Sequence, residues 1–229
     1  MDQLEAISQQ IWDMKYRLKT SNGMPIDTSI HDTWRRVARA LAEPETDKVF
    51  WEKKFFEILN EFKFIPAGRI LSGAGSNREV TLFNCFVMGD IPDKISGIFD
   101  SLKEAALTMQ QGGGIGYDFS TLRPKGSVVK GVGAEASGPI SFMDVWDSMC
   151  RTIMSAGSRR GAMMGVMRCD HPDILQFIKA KMQPERLRMF NLSVLVSDDF
   201  MSAVKHGQDW ELKFGGQVFS VHPARKIWD

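Results

Sequence analysis

The sequence predicts a small helical domain followed by an α/β layer or barrel. Three observations carry that prediction. Through residues 1–62 the apolar side chains recur at helical spacing and no strand-like run interrupts them. Beyond residue 63, helical stretches alternate with short apolar, β-prone runs, the order that builds a layered α/β domain. Glycine-rich turns punctuate that alternation, and no internal repeat is visible.

In chain order, residues 3–19 place Leu4, Ile7, Ile11, Met14 and Leu18 on one helical face, and Ser21-Asn22-Gly23-Met24-Pro25 breaks it. Residues 28–41 form a second helix with Trp34, Val37 and Leu41 inward. Pro44 interrupts, and Asp47 caps a third helix carrying Phe50, Phe55, Ile58 and Leu59. Residues 64–75 are expected as loop with one short strand, and residues 80–88 (VTLFNCFVM) as a buried strand containing Cys85. Residues 95–111 are an amphipathic helix (Ile98, Leu102, Ala105, Ala106, Met109) stopped by glycines. After a Gly/Ala loop over 128–137, Gly138-Pro139 opens a helix over 139–155, with Phe142, Val145, Trp146, Met149 and Ile153 apolar. Residues 162–167 are expected as a strand, 173–181 as a helix, 191–196 as a strand and 198–205 as a helix. Residues 210–214 and 218–221 can pair as a hairpin around Gly215-Gly216. The expected domains are therefore 1–62 and 63–229.

Composition excludes several function classes. An apolar share of 43% supports a real core, and a net charge of +1 gives no electrostatic case for DNA or a membrane surface. No run is long enough to span a bilayer, and the acidic, polar start MDQLEAISQQIWD is unlike a signal peptide, so a cytoplasmic location is expected. Cys85, Cys150 and Cys169 are too few and too scattered for a disulfide framework and read as reduced thiols.

The densest candidate site is residues 110–127, QQGGGIGYDFSTLRPKGS. Ordering so many glycines is entropically costly, which points to close backbone approach or turns with positive φ. Arg123 and Lys125 suggest an anionic ligand; a tight helix-to-strand connection is the alternative. The stretch is not a dinucleotide fingerprint, because Tyr117 falls where a third glycine is required, and no Gly-Lys-Ser/Thr makes a P-loop. Cys85 is either a small buried hydrophobe or, given a second sulfur in reach, a redox thiol. Cys150 lies at core spacing. Cys169-Asp170-His171 lacks metal-ligand spacing, so no metal site is expected. Ser158, Arg159 and Arg160, between Gly157 and Gly161, suit anion or base contact as well as a solvated loop.

Five blocks taken together carry a resemblance. They are FIPAGRILSGAG (64–75), TLFNCFVMGD (81–90), LTMQQGGGIGYDFSTLRPKGS (107–127), SGPISFMDVWDSMCRTIMSAGSRRGAMM (137–164) and RCDHPDILQFI (168–178). In order and spacing they resemble the adenosylcobalamin (vitamin B12)-dependent, class II ribonucleotide reductases, from about residue 44 onward. The resemblance implies a helical domain followed by the first half of a ten-stranded α/β barrel. It implies that Cys85 is one member of the thiol pair oxidised as the ribose 2′-hydroxyl is reduced. It places Ala67, Gly68, Asn84, Cys85, Gly113 and Gly114 along the substrate nucleotide. Residues 118–130, with Arg123 and Lys125, and 155–164, with Ser158, Arg159 and Arg160, match the two specificity loops that read a deoxynucleotide effector, and Asp90 falls near an acidic effector contact. The helices 95–111 and 139–155 resemble those that pair across a dimer.

Family members are much longer. The radical cysteine, the second substrate-reducing thiol, the C-terminal reducing cysteines and most cobalamin contacts are expected outside this sequence. The chain is thus expected to be an N-terminal portion that is inactive alone. It would need a C-terminal reductase chain or homodimer, and the complete enzyme a thioredoxin-type reductant. A non-catalytic nucleotide-binding or interaction protein derived from the reductase is the alternative.

Overall fold

The computed structural model describes residues 4–129, 133–153, 161–182 and 185–229. The chain divides into two compact units, Met1–Asn84 and Cys85–Asp229. The division expected after residue 62 falls earlier than this one, and a short helix lies between the two positions.

The first unit contains α1 (Ala6–Lys15), α2 (Ile30–Ala42), α3 (Lys48–Leu59) and α4 (Gly68–Gly73). Helix α2 starts on a capping box: Ser29 Oγ accepts the Asp32 amide, and the Asp32 carboxylate accepts the Ser29 amide at 2.9 Å. Asp47 caps α3 as expected, accepting the Phe50 amide at 3.0 Å. Trp34, Val37, Ala38, Leu59, Leu71 and Ala74 form the core of this unit.

Helix α4 occupies the segment expected as loop and strand. Its C-terminal end is held by a residue of a buried ion pair that local pattern does not reveal. Arg36 and Asp27, with side chains only 9% and 4% exposed, meet at 2.9 Å. The same guanidinium donates to the carbonyls of Leu71 (3.1 Å) and Ala74, two of the acceptors that a helix C-terminus leaves unsatisfied. Thr33 Oγ1 donates to Asp27 at 2.8 Å and accepts from Trp12 Nε1 at 3.0 Å, which anchors α1 to the same network.

The second unit is a four-stranded parallel sheet in the order β1 (Cys85–Val87), β2 (Gly114–Asp118), β3 (Met163–Arg168) and β4 (Phe190–Leu195). Helices α5 (Ile95–Gln110), α6 (Pro139–Thr152) and α7 (Ile174–Lys179) make the crossovers that parallel pairing requires. Then follow α8 (Asp198–His206), the antiparallel hairpin β5 (Asp209–Phe214) and β6 (Gln217–Pro223), and α9 (Ala224–Trp228). Gly215 and Gly216 turn the hairpin at φ +56° and +81°, the left-handed geometry of a two-residue loop.

Strand β1 is much shorter than the run 80–88. The ladder starts where Cys85 meets Gly114, because Gly112 (φ +88°) and Gly113 are still completing the turn out of α5. Upstream, Val80 and Leu82 pack at 3.0 Å from the Cβ position of Gly73 and so belong to the helical unit.

Side chains alternate across the sheet. Ile115, Tyr117, Met163, Met167 and Phe190 face a core shared with Ile98, Met109, Met143 and Trp146. Phe119 and Trp146 meet edge to face at 5.7 Å, and Tyr117 and Trp146 at 5.8 Å. Asp147 of α6 is buried and accepts the Met189 amide at 2.8 Å, locking α6 to the entry of β4. The opposite face carries Cys85, Val87, Gly114, Gly116, Met164 and Asn191, and among the described residues it stays largely uncovered: Val87 is 98% exposed. A parallel sheet is ordinarily buried on both faces. No helix among the described residues is long and apolar enough to cross a membrane.

Candidate functional site

Cys85 opens the uncovered face. It is the first residue of the edge strand, exposed and unoxidised, while Cys150 and Cys169 are both buried. Burial pushes the Cys150 thiol up to about 11, with the nearby Asp147 acting in the same direction, so of the three sulfurs Cys85 is the one presented for chemistry. Its cross-strand neighbour is Gly114, and Gly116 follows opposite Val87 on the same face, so no side chain rises beside the thiol from β2.

The predicted glycines occupy different environments. Gly114 lies on the uncovered face. Gly113 is buried, and a Cβ there would come within 2.8 Å of the Phe86 ring and 3.0 Å of Thr108, so its lack of a side chain is required by packing. Gly68 opens α4 with its Cβ position 3.2 Å from the Tyr16 ring, and exposed Ala67 precedes it as N-cap. Ala67, Gly68 and exposed Asn84 belong to the first unit; Cys85, Gly113 and Gly114 belong to the second.

A second candidate region is an open cleft of about 790 Å³. One wall is the start of α5 (Asp93, Lys94, Ile95), another is Arg123 with the strap 126–129, and the third is the hairpin (Phe214, Gln217, Phe219). Asp93 fixes Arg123 on three sides: Nε donates to its carboxylate at 2.8 Å, Nη2 to its carbonyl at 3.0 Å, and the Arg123 amide to its other carboxylate oxygen at 3.2 Å. Lys94 adds a second cation, while Phe214 and Phe219 supply flat apolar surface. Such a mixture suits an anionic ligand with an aromatic ring.

Of the sequence candidates, Arg123 lines this cleft. Lys125 lies two residues on with an exposed side chain, its backbone amide donating to Asp173 at 2.9 Å. Exposed Asp90 is not among the lining residues; the acidic position there is Asp93, three residues later. Ser158, Arg159 and Arg160 lie outside the described residues. The sequence reading missed Asp93, Lys94 and the hairpin phenylalanines, because only tertiary pairing brings residues 93–95 and 214–219 to one strap.

Residues 83–226 match the ribonucleotide reductase barrel domain, and residues 2–79 match the ribonucleotide reductase all-alpha domain. The chain belongs to the ribonucleotide reductase large-subunit family. The chain is 36% identical over 224 residues to the vitamin B12-dependent ribonucleoside-diphosphate reductase of Mycobacterium tuberculosis, an alignment covering 94% of this chain and 32% of that one. It is 35% identical over 209 residues to the like-named protein of Thermoplasma acidophilum, and 33% identical over 202 residues to the ribonucleoside-diphosphate reductase subunit alpha of Helicobacter pylori. The chain spans about a third of the length of the first of these relatives. Its helical first unit and parallel-sheet second unit are the all-alpha domain and part of the barrel.

Among the described residues no group of three or more His, Cys, Asp and Glu could hold a metal ion.

Proposed function

We propose that this chain is the N-terminal portion of a vitamin B12-dependent ribonucleotide reductase, acting on ribonucleoside diphosphates, with Cys85 as one of the two thiols that reduce the ribose. The observation that carries the reading is the uncovered sheet face: an exposed thiol at a strand edge, beside glycines that leave room for a ligand above them. In the overall reaction two thiols surrender two electrons and two protons. The C2′–O bond breaks, the oxygen leaves as water, a C2′–H bond forms, and the sulfurs join as a disulfide. Cys150 and Cys169 are buried, so the partner sulfur is a residue beyond these three, on a longer chain or on a second polypeptide. The relatives carry twice as much sequence again in which it can lie.

Ala67, Gly68, Asn84, Gly113 and Gly114 are the proposed substrate-lining positions. The cleft beside Arg123 is the proposed deoxynucleotide effector site, where the guanidinium already fixed by Asp93 would meet phosphate and the hairpin aromatics the base. Lys125, Ser158, Arg159 and Arg160 are the further proposed effector contacts. A thioredoxin-type protein would regenerate the dithiol in the complete enzyme.

The test is turnover of ribonucleoside diphosphate in the presence of adenosylcobalamin and a dithiol. The chain alone is expected to give none, and the chain combined with the sequence matching the rest of its relatives is expected to be active. In that active form Cys85→Ser is expected to abolish deoxynucleotide formation while nucleotide binding persists. Retained turnover in the Cys85→Ser enzyme would overturn the thiol assignment.

A further inference from the structure

His171 is completely buried, and among the described residues it belongs to no group that could hold a metal ion. Its Nε2 lies 2.9 Å from the carbonyl of Leu122, and its Nδ1 accepts the Asp173 amide at 3.0 Å. A carbonyl can only accept, so these two bonds assign the neutral tautomer with hydrogen on Nε2. The ring also meets the Phe214 side chain edge to face at 5.7 Å. One side chain therefore holds the residue before Arg123 and touches the opposite, hairpin wall of the same cleft.

The surrounding turn repeats the pattern. The Arg168 amide donates to Ser120 Oγ at 2.7 Å, and the Lys213 amide donates to the Asp170 carbonyl at 2.7 Å. Asp173 is the N-cap residue of α7, but its side chain makes no capping bond to that helix. It is diverted instead to the Lys125 amide, at 2.9 Å. A helix start normally takes such a carboxylate for itself. The turn 168–173 thus grips the strap through residues 120, 122 and 125, and the hairpin through 213 and 214.

We infer that His171, with Asp173, is a positioning latch for the nucleotide cleft: it sets the backbone of the Arg123-bearing strap against the hairpin wall. The inference rests on the reading of that cleft as a nucleotide site. It assigns His171 to geometry, not to contact with ligand. The Asp93 ion pair orients the Arg123 side chain, whereas the latch fixes the chain that carries it.

Two substitutions separate the latch from simple packing. His171→Gln keeps an N–H donor at the reach of Nε2, and so keeps the bond to Leu122. His171→Asn keeps an acceptor near Nδ1 for the Asp173 amide but is too short to reach Leu122. The full chain is examined by amide hydrogen exchange over residues 121–129 and by calorimetric titration with dATP. Asn is expected to speed exchange in that segment and weaken dATP binding by about tenfold, the scale of one lost buried hydrogen bond. Gln is expected to leave both within about threefold of the parent. Asp173→Ala, at a partly exposed site, is expected to speed exchange around Lys125 without unfolding α7. Equal behaviour of Gln and Asn, or unchanged exchange over 121–129 in all three variants, would overturn the latch. If the parent chain shows the exchange pattern but binds no dATP, the latch stands and the nucleotide reading of the cleft falls.

Discussion

At the scale of single residues, the polar groups that matter are those whose partners lie far away in sequence. Arg36 and Asp27 are a buried pair whose removal from one side leaves an uncompensated charge in the core. Arg36→Met is expected to cost about 3–5 kcal/mol, read as a lower thermal midpoint together with loss of amide protection in α4, whose last carbonyls Arg36 holds. His171 gives a pH signature. Burial holds its pKa below the ordinary 6.5, outweighing the Leu122 carbonyl and Asp173 and Asp170, which favour the charged ring; Arg168 opposes charge along with burial. The unfolded chain takes up its proton near 6.5, so this contribution to stability is complete above that value. It declines as pH falls further, until the folded-state pKa is reached. The drop in thermal midpoint between about pH 7.5 and about pH 5.5 is therefore expected to be smaller in His171→Gln than in the parent. An identical drop would mean that the ring is already charged in the fold.

At the scale of elements, the glycine turn between α5 and β2 divides its labour. Gly112 supplies a left-handed backbone, Gly113 admits the Phe86 ring, and Gly116 flattens the uncovered face. Gly113→Ala is expected to destabilise the second unit by about 1–3 kcal/mol through overpacking. Gly116→Ala meets only ordinary contacts, 3.7 Å to Met164, so it is expected to fold normally and to alter ligand binding on that face. Chemical denaturation of the two variants checks the contrast. Helices were legible because their signals are local: the Asp47 cap and the inward Trp34 and Val37 all stand in the structure. Strand length was not legible, since β1 can extend only as far as β2 offers partners, and the apolar residues before Asn84 pack elsewhere.

At the scale of the whole molecule, β1 and β4 each have one hydrogen-bonded neighbour among the described residues, and one face of the sheet carries exposed apolar side chains such as Val87, Met164 and Leu195. Unpaired parallel edges and an uncovered face favour association. The chain expressed alone is expected to appear as an oligomer, or bound to a partner, in multi-angle light scattering. A monodisperse monomer would show that this face tolerates water.

The sequence by itself determined the helical unit followed by an α/β unit and the family, and singled out Cys85 and Arg123 as candidates, because periodicity, caps and motif blocks are properties of neighbouring residues. Tertiary structure alone decided the rest. It held the end of α4 by bringing Arg36 to carbonyls far along the chain, and buried Gly113 under Phe86 while leaving Gly114 open. It drew Asp93, Arg123 and the hairpin around one cleft and placed His171 behind it. Each of these depends on hydrogen bonds and contacts between segments tens of residues apart, which become physical only once helix packing in the first unit and strand register in the second bring those segments together.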